Sequence, residues 1–271
     1  KERIVTQHGN ETVKFKVPSY RIFNVLMFVP TDGGKEPIYL DDVLVQWQPT
    51  MHYSKPGSRK LLDASFEQSK YASTDPGKGL KIEEAKDAPK PFTIERTTSW
   101  GEGVHSLRAS GGGSVTSDLG QQLTPASAKG IVTVDLDLFI RSDKSFPYMM
   151  PDPTTRSPHT VTVGLEGSLP DHAFAQVTPI DGTWRIWDGS QWADTGKNVA
   201  YDVWNHVQLS IDTRAKTYRV IVQPIGEVPA LVGQGAVGKS VEQGEKLRFI
   251  IRPSQTPGHI SCYDNVTVTS E

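Results

Sequence analysis

The stretch IVTVDLDLFIR, residues 131–141, sets Val132, Val134, Leu136, Leu138 and Ile140 on one side and Thr133, Asp135, Asp137 and Arg141 on the other. Successive side chains of an extended chain point to opposite faces, so a period of two marks a β-strand with one face in a core. The rhythm recurs along the chain. Val161, Val163 and Leu165 share a face, as do Tyr218, Val220 and Val222. Val207, Leu209 and Ile211 alternate with His206, Gln208, Ser210 and Asp212, and Leu247, Phe249 and Ile251 alternate with Arg248, Ile250 and Arg252. Half-buried strands of this kind belong to antiparallel sheets. Asp181-Gly182 and Asp188-Gly189 bracket Thr183–Trp187, and Asp-Gly between alternating runs is a hairpin signal. Segment 68–100 is polar and holds at most one or two edge strands, and the proline-rich segment 145–158 reads as a long loop carrying Tyr148. The best helical stretch, Ile82–Ala88, is too short to stand alone. The pattern predicts an all-β protein of antiparallel sheets stacked as a sandwich.

Bulk properties bound the function. The chain has 271 residues, 36% hydrophobic and 22% charged, which is enough apolar matter for a folded core. A net charge of −2 without a basic run argues against nucleic acid, whose phosphates need clustered Lys and Arg. No apolar run approaches the ~20 residues of a membrane-spanning helix. Cys262 is the one cysteine and reads as a small buried residue rather than a disulfide or metal ligand.

The chain also contains an internal echo. The same spacing separates Pro30 from Asp41 and Pro253 from Asp264, and one offset pairs Leu26 with Phe249, Phe28 with Ile251, Asp42 with Asn265, Val43 with Val266 and Val45 with Val268. TVKFKV from Thr12 is similar to TYRVIV from Thr217. Residues 1–48 are therefore expected to be the last strands of an upstream repeat, 49–60 a linker, and 61–271 a complete sandwich. The start at Lys1 fits the expectation of a piece of a longer, modular protein.

Three landmarks carry a resemblance over about 200 residues: DASFEQ (63–68), GVHSLRASG (103–111) and CYDNVTV (262–268). In this order they resemble the first, second and last strands of jelly-roll carbohydrate-binding modules attached to bacterial polysaccharide-degrading enzymes. DGTWRIWDGSQWADTG (181–196) and the following WNHVQLSIDTRAKTYRVIV are similar to concanavalin A-like and laminin-G domains. The resemblance implies a jelly-roll sandwich and a structural Ca2+ held by Glu67 of the first strand and Asp264 of the last. Asp63 could assist. By strict alternation Asp264 shares the apolar face with Cys262, Val266 and Val268, where a carboxylate is costly without a partner or an ion.

Flat aromatic rings suit the C–H faces of sugars, and Trp184, Trp187, Trp192, Tyr201 and Trp204 cluster in sequence. Alternation puts Trp184 and Trp187 on opposite faces, one in the core and one outside. Trp187, Trp192, Tyr201 and Arg185 are the expected sugar-binding residues, Trp192 as the surface candidate and Trp204 as core. A lyase would need His, Tyr and Arg to converge, with His172, His206, Arg185, Tyr148 and Glu166 as candidates, yet no linear motif unites them. The seven histidines, His8, His52, His105, His159, His172, His206 and His259, lack metal-binding spacing. Hydrolysis needs paired carboxylates; Asp135 and Asp137 are neighbours on one strand but read as a solvated face.

These features favour a non-catalytic carbohydrate-binding or accessory module of an exported bacterial glycan-processing protein, outside the cytoplasm or in the periplasm. Its partner would be a polysaccharide, and further domains of the same parent would accompany it. A polysaccharide lyase or glycoside hydrolase, and a structural or adhesin repeat, are the competing expectations.

Overall fold

The computed structural model describes residues 2–6, 12–16, 57–77, 79–83, 91–96, 104–119, 123, 130–142, 160–169, 172–241, 245–256 and 258–271. The chain divides into two compact units, Lys1–Tyr53 and Ser54–Glu271. In the first, β1 (Glu2–Thr6) pairs antiparallel with β2 (Thr12–Lys16), Glu2 opposite Lys16 and Thr6 opposite Thr12. The matches of the echo between Leu26 and Val45 lie outside the described residues.

In the second unit every described element is a strand. In chain order they are β3 (Arg59–Ala64), β4 (Lys81–Glu83), β5 (Phe92–Glu95), β6 (Ser106–Ala109), β7 (Ser114–Asp118), β8 (Ile131–Ile140), β9 (Thr162–Glu166) and β10 (Ala173–Ile180). There follow β11 (Thr183–Trp187), β12 (Trp192–Asn198), β13 (Trp204–Asp212), β14 (Thr217–Pro224), β15 (Ala230–Ala236), β16 (Arg248–Arg252) and β17 (Ser261–Ser270). One sheet has seven strands in the order β12-β11-β10-β9-β16-β7-β4. The other has eight, β15-β14-β13-β8-β17-β6-β5, with β3 added beside the second half of β17. Strands distant in sequence lie side by side, as in a jelly roll. The edge strands expected in 68–100 are β4 and β5, one at the end of each sheet, and Ile82 is therefore in a strand rather than a helix.

The core forms where the inner faces meet. Val134, Leu136 and Leu138 of β8 and Val207, Leu209 and Ile211 of β13 are 0% exposed, as are Val163 and Leu165 of β9 and Phe249 and Ile251 of β16. Trp184 of β11, 1% exposed, belongs to the same cluster. Each such side chain contributes roughly 1.5–3 kcal/mol by leaving water, which holds the sheets face to face.

Turn chemistry sets the edge that matters below. Asp181 and Gly182 both have positive φ, 52° and 81°, the conformation of a two-residue turn that follows the twist of its strands. That turn closes the pair Ile180–Thr183 and fixes the register of β10 against β11.

β17 departs from strict alternation. Tyr263, Val266 and Val268 face the core, so the alternation skips a residue between them. A bulge between Asp264 and Thr267, with Asn265 at φ 49°, supplies the extra residue. Asp264 therefore lies on the outer side, opposite Asp137, and not on the apolar face with Val266 and Val268. Cys262 is buried but sits on that same outer side, opposite Phe139.

Candidate functional site

The outer face of the seven-stranded sheet gathers polar and aromatic side chains. Trp184 and Ile186 of β11 turn inward, so Thr183, Arg185 and Trp187 turn outward. Across the hairpin Trp187 stands directly opposite Trp192, the rings 5.5 Å apart at 77°, an edge-to-face pair with both side chains half-buried. The turn between them is organised by Asp188, whose carboxylate accepts N–H bonds from Gln191 (2.8 Å) and Ser190 (2.9 Å). Those bonds, Gln191 first, hold the Asp188 carboxyl below its ordinary range.

Next to the tryptophans runs β10. Gln176 stands opposite Gly164 of β9 and is 2% exposed. A bulge between Ala173 and Ala175 brings the β10 backbone close to Gly164, which has φ 143° and would place a Cβ only 2.1 Å from the Ala175 carbonyl oxygen. Only glycine fits there. Tyr218, from β14 of the other sheet, crosses the core, and its hydroxyl proton is shared between the backbone carbonyls of Gln176, at 2.9 Å, and Trp187. Burial pushes its phenol pKa well up, so it remains a donor.

Beyond β10 lies a charged knot. Glu166 of β9 is 1% exposed. Its Oε1 accepts from Arg248 Nε at 2.8 Å and Nη2 at 2.7 Å, and its Oε2 from Arg252 Nη2 at 3.1 Å. Arg248 also reaches Glu83 at 3.2 Å. A buried carboxylate persists only when so paired, and removing one partner from such a pair costs about 3–5 kcal/mol.

Glu166, Ala173, Gln176, Trp187, Trp192 and Arg252 line an open pocket of about 120 Å³. Two of them carry buried nitrogens without a partner among the described residues: the Gln176 amide Nε2 and the Trp187 indole Nε1. Arg185 Nε, on the same sheet face, is a third. Unsatisfied buried donors are uncommon in folded proteins and are accounted for by a bound molecule or water.

The expected site residues separate under this geometry. Trp187 and Trp192 come together in the pocket, and Arg185 lies on the same face. Tyr201, in the connection between β12 and β13, packs on the core instead. Trp204 is buried against Phe139 (5.7 Å) on the outer side of the eight-stranded sheet rather than in the core. Among the described residues the lyase set does not converge. His172 pairs with Glu245 at 3.0 Å, His206 is on the opposite sheet, and Tyr148 lies outside the described residues.

Asp135 and Asp137 are not a solvated pair. Asp137 is 1% exposed and takes His206 Nδ1 at 2.7 Å and Asn265 Nδ2 at 2.9 Å; Asp135 takes Gln208 at 2.7 Å and His206 Nε2 at 3.4 Å. Burial pushes the His206 pKa down, but hydrogen bonds and charge from Asp135 and Asp137 outweigh it and raise it to about 9.

The proposed calcium ligands are otherwise engaged. Both Glu67 oxygens accept backbone N–H bonds from Val104 and His105 at 2.9–3.0 Å. Asp63 is exposed and bonds Lys60 at 2.6 Å, and Asp264 accepts the Asn265 N–H at 2.8 Å. Calcium takes six to eight oxygens, and among the described residues no group of three or more His, Cys, Asp or Glu side chains converges to begin such a shell. Among the described residues, Glu67, Asp63 and Asp264 do not assemble into such a shell.

Sequence reasoning missed Gln176, Arg252 and the role of Glu166. β10 gives no alternation because seven of its eight residues are buried on both faces. The arginines of β16 did alternate, and Glu166 ended a legible strand, but their meeting is long-range.

No protein-family model and no curated protein matches this sequence. Among solved structures the chain is similar to the catalytic domain of a glycoside hydrolase family 131 protein from Coprinopsis cinerea, at 12% identity and TM-score 0.53, over 78% of this chain and 94% of that one. It is similar to the marine PL-14 alginate lyase from Aplysia kurodai, at 10% identity and TM-score 0.50, over 79% of this chain and 100% of that one. A sialidase aligns at 14% identity and TM-score 0.47 with 77% of this chain, which spans only 18% of the sialidase. At these identities the likeness concerns the fold. The fold is an antiparallel jelly-roll β-sandwich. Among the described residues no helix is long and apolar enough to cross a membrane.

Proposed function

We propose that the outer face of the seven-stranded sheet binds a glycan, and that the chain serves as a non-catalytic carbohydrate-binding or accessory module of an exported polysaccharide-processing protein. The observation that carries this reading is the pocket lined by the Trp187–Trp192 pair, where two buried N–H donors, Gln176 Nε2 and Trp187 Nε1, have no partner among the described residues. Indole surfaces cover the C–H faces of a sugar ring, and Gln176, Trp187 and Arg252 donate to its oxygens. Glu166 acts as the counter-ion that fixes Arg252 in place.

Binding is preferred over catalysis on the chemistry of the lining. Glycoside hydrolysis uses two carboxyl groups flanking the bond. Among the described lining residues Glu166 is the single carboxylate, and two guanidinium groups occupy its oxygens. A lyase needs a proton acceptor, and neither His nor Tyr is among those residues.

Affinity electrophoresis through gels containing soluble polysaccharides tests the reading. Retardation by at least one polymer, abolished by Trp187→Ala or Trp192→Ala, is the expected result. No retardation by any polymer overturns it, and release of unsaturated or reducing products would replace it with an enzymatic reading.

A further inference from the structure

We infer that the sugar residue seated in this pocket carries an anionic group, a carboxylate or a sulfate, received by Gln176, Trp187 and Arg252. The inference rests on the glycan-binding reading above and specifies its ligand.

The reasoning is an inventory of donors and acceptors. Gln176 is 2% exposed, and its amide nitrogen has no partner among the described residues. The Trp187 indole nitrogen, which can only donate, is buried in the same condition. Arg252 has a side chain 36% exposed and, among the described residues, makes one ion pair, Nη2 to Glu166 Oε2 at 3.1 Å, which uses one of the five N–H groups of its fork. On the acceptor side, Glu166 has both oxygens occupied by arginines. Glu83, the other carboxylate of the knot, binds the far guanidinium, Arg248, and is itself half exposed. The pocket therefore offers surplus N–H groups and a guanidinium.

A sugar hydroxyl both donates and accepts, so a neutral ring leaves hydroxyl protons facing a surface already rich in donors. An oxyanion only accepts. It satisfies several donors at once, and a bond to a charged acceptor is roughly twice as strong as one between neutral groups. Burial of Gln176 adds to the argument: an amide held unpaired away from water is costly, and a ligand oxygen removes that cost on binding.

The test compares three polymers by isothermal titration calorimetry with the whole chain at about 0.15 M salt, where long-range attraction is screened. They are polygalacturonate, its carboxyl-reduced neutral form, and a sulfated galactan. At least one anionic polymer is expected to bind roughly tenfold or more tightly than the reduced one, and which of the two does so identifies the group. Gln176→Met keeps the side-chain volume and removes the donor. It is expected to erase most of that preference while Tm stays unchanged or rises.

Equal binding of both anionic polymers and the carboxyl-reduced one overturns the anionic assignment and leaves glycan binding standing. Binding to none of these, nor to a neutral glucan, overturns both. A Gln176→Met protein that keeps the full preference, or whose Tm falls by many degrees, overturns the role given to Gln176.

Discussion

Glu166 on the outer face of the seven-stranded sheet and Asp137 on that of the eight-stranded sheet are each 1% exposed, and each is held by cationic or amide donors from neighbouring strands. Their surroundings differ. Around Asp137 the donors and acceptors match: His206 binds Asp137 and Asp135, Asn265 binds Asp137, and Gln208 binds Asp135. Around Glu166 the carboxylate is satisfied, but Gln176 Nε2 and Trp187 Nε1 beside it have no partner among the described residues, and a pocket opens there. Buried polarity alone therefore does not mark a site. A closed network stabilises and specifies the sheet, whereas buried donors that no described residue satisfies, beside a cavity, are where the proposed ligand would find its partners.

That contrast can be broken experimentally, and the largest effect belongs to the closed network. His206→Ala strips the principal cation from Asp137 and is expected to lower unfolding free energy by about 3–5 kcal/mol in urea titrations, with polysaccharide affinity unchanged below the transition. Loss of affinity in that folded protein would mean that the two faces are not separate. Trp187→Ala or Trp192→Ala should do the reverse. Affinity falls roughly 10–100-fold, while stability drops by only about 1 kcal/mol through loss of the edge-to-face contact.

The pH dependence of stability sharpens the difference further. His206 is raised from 6.5 to about 9 in the folded chain. Its contribution is full below pH 6.5 and is lost as pH climbs through 9, so Tm is expected to fall over that window, and His206→Gln should flatten the fall. A flat wild-type profile would deny the histidine its charge. The smallest effect is expected at Asp188, half-buried at the hairpin tip. Its depressed pKa gives a contribution present above 3.8 and lost as pH falls through the folded value. Asp188→Ala should loosen the Trp187–Trp192 hairpin and weaken binding a few-fold, with little change in Tm.

Much of the sandwich is legible from alternation alone, because β8, β9, β13, β14 and β16 each place their large apolar side chains at every second position, facing the core. Trp184 inside and Trp187 outside follow from the same rule. Two physical features hide the rest. In β10 both faces are covered, so Gln176 sits in a run with no period to read. In β17 the bulge after Asp264 shifts alternation by one residue, which sends Asp264 to the outer side and dissolves the reason for placing an ion there. The union of Glu166 with Arg248 and Arg252 depends on β9 lying beside β16, a pairing that spans most of the second half of the chain. Local sequence carries no trace of it.

Tyr218 has a mechanical consequence. It is anchored in one sheet, yet its hydroxyl holds the main chain of the other at Gln176 and Trp187, two of the residues that line the pocket. A polymer bound as proposed would pull on the chain through those residues. Tension applied there passes through the phenol directly into β14, so the two sheets resist the pull together instead of sliding past each other across an apolar layer.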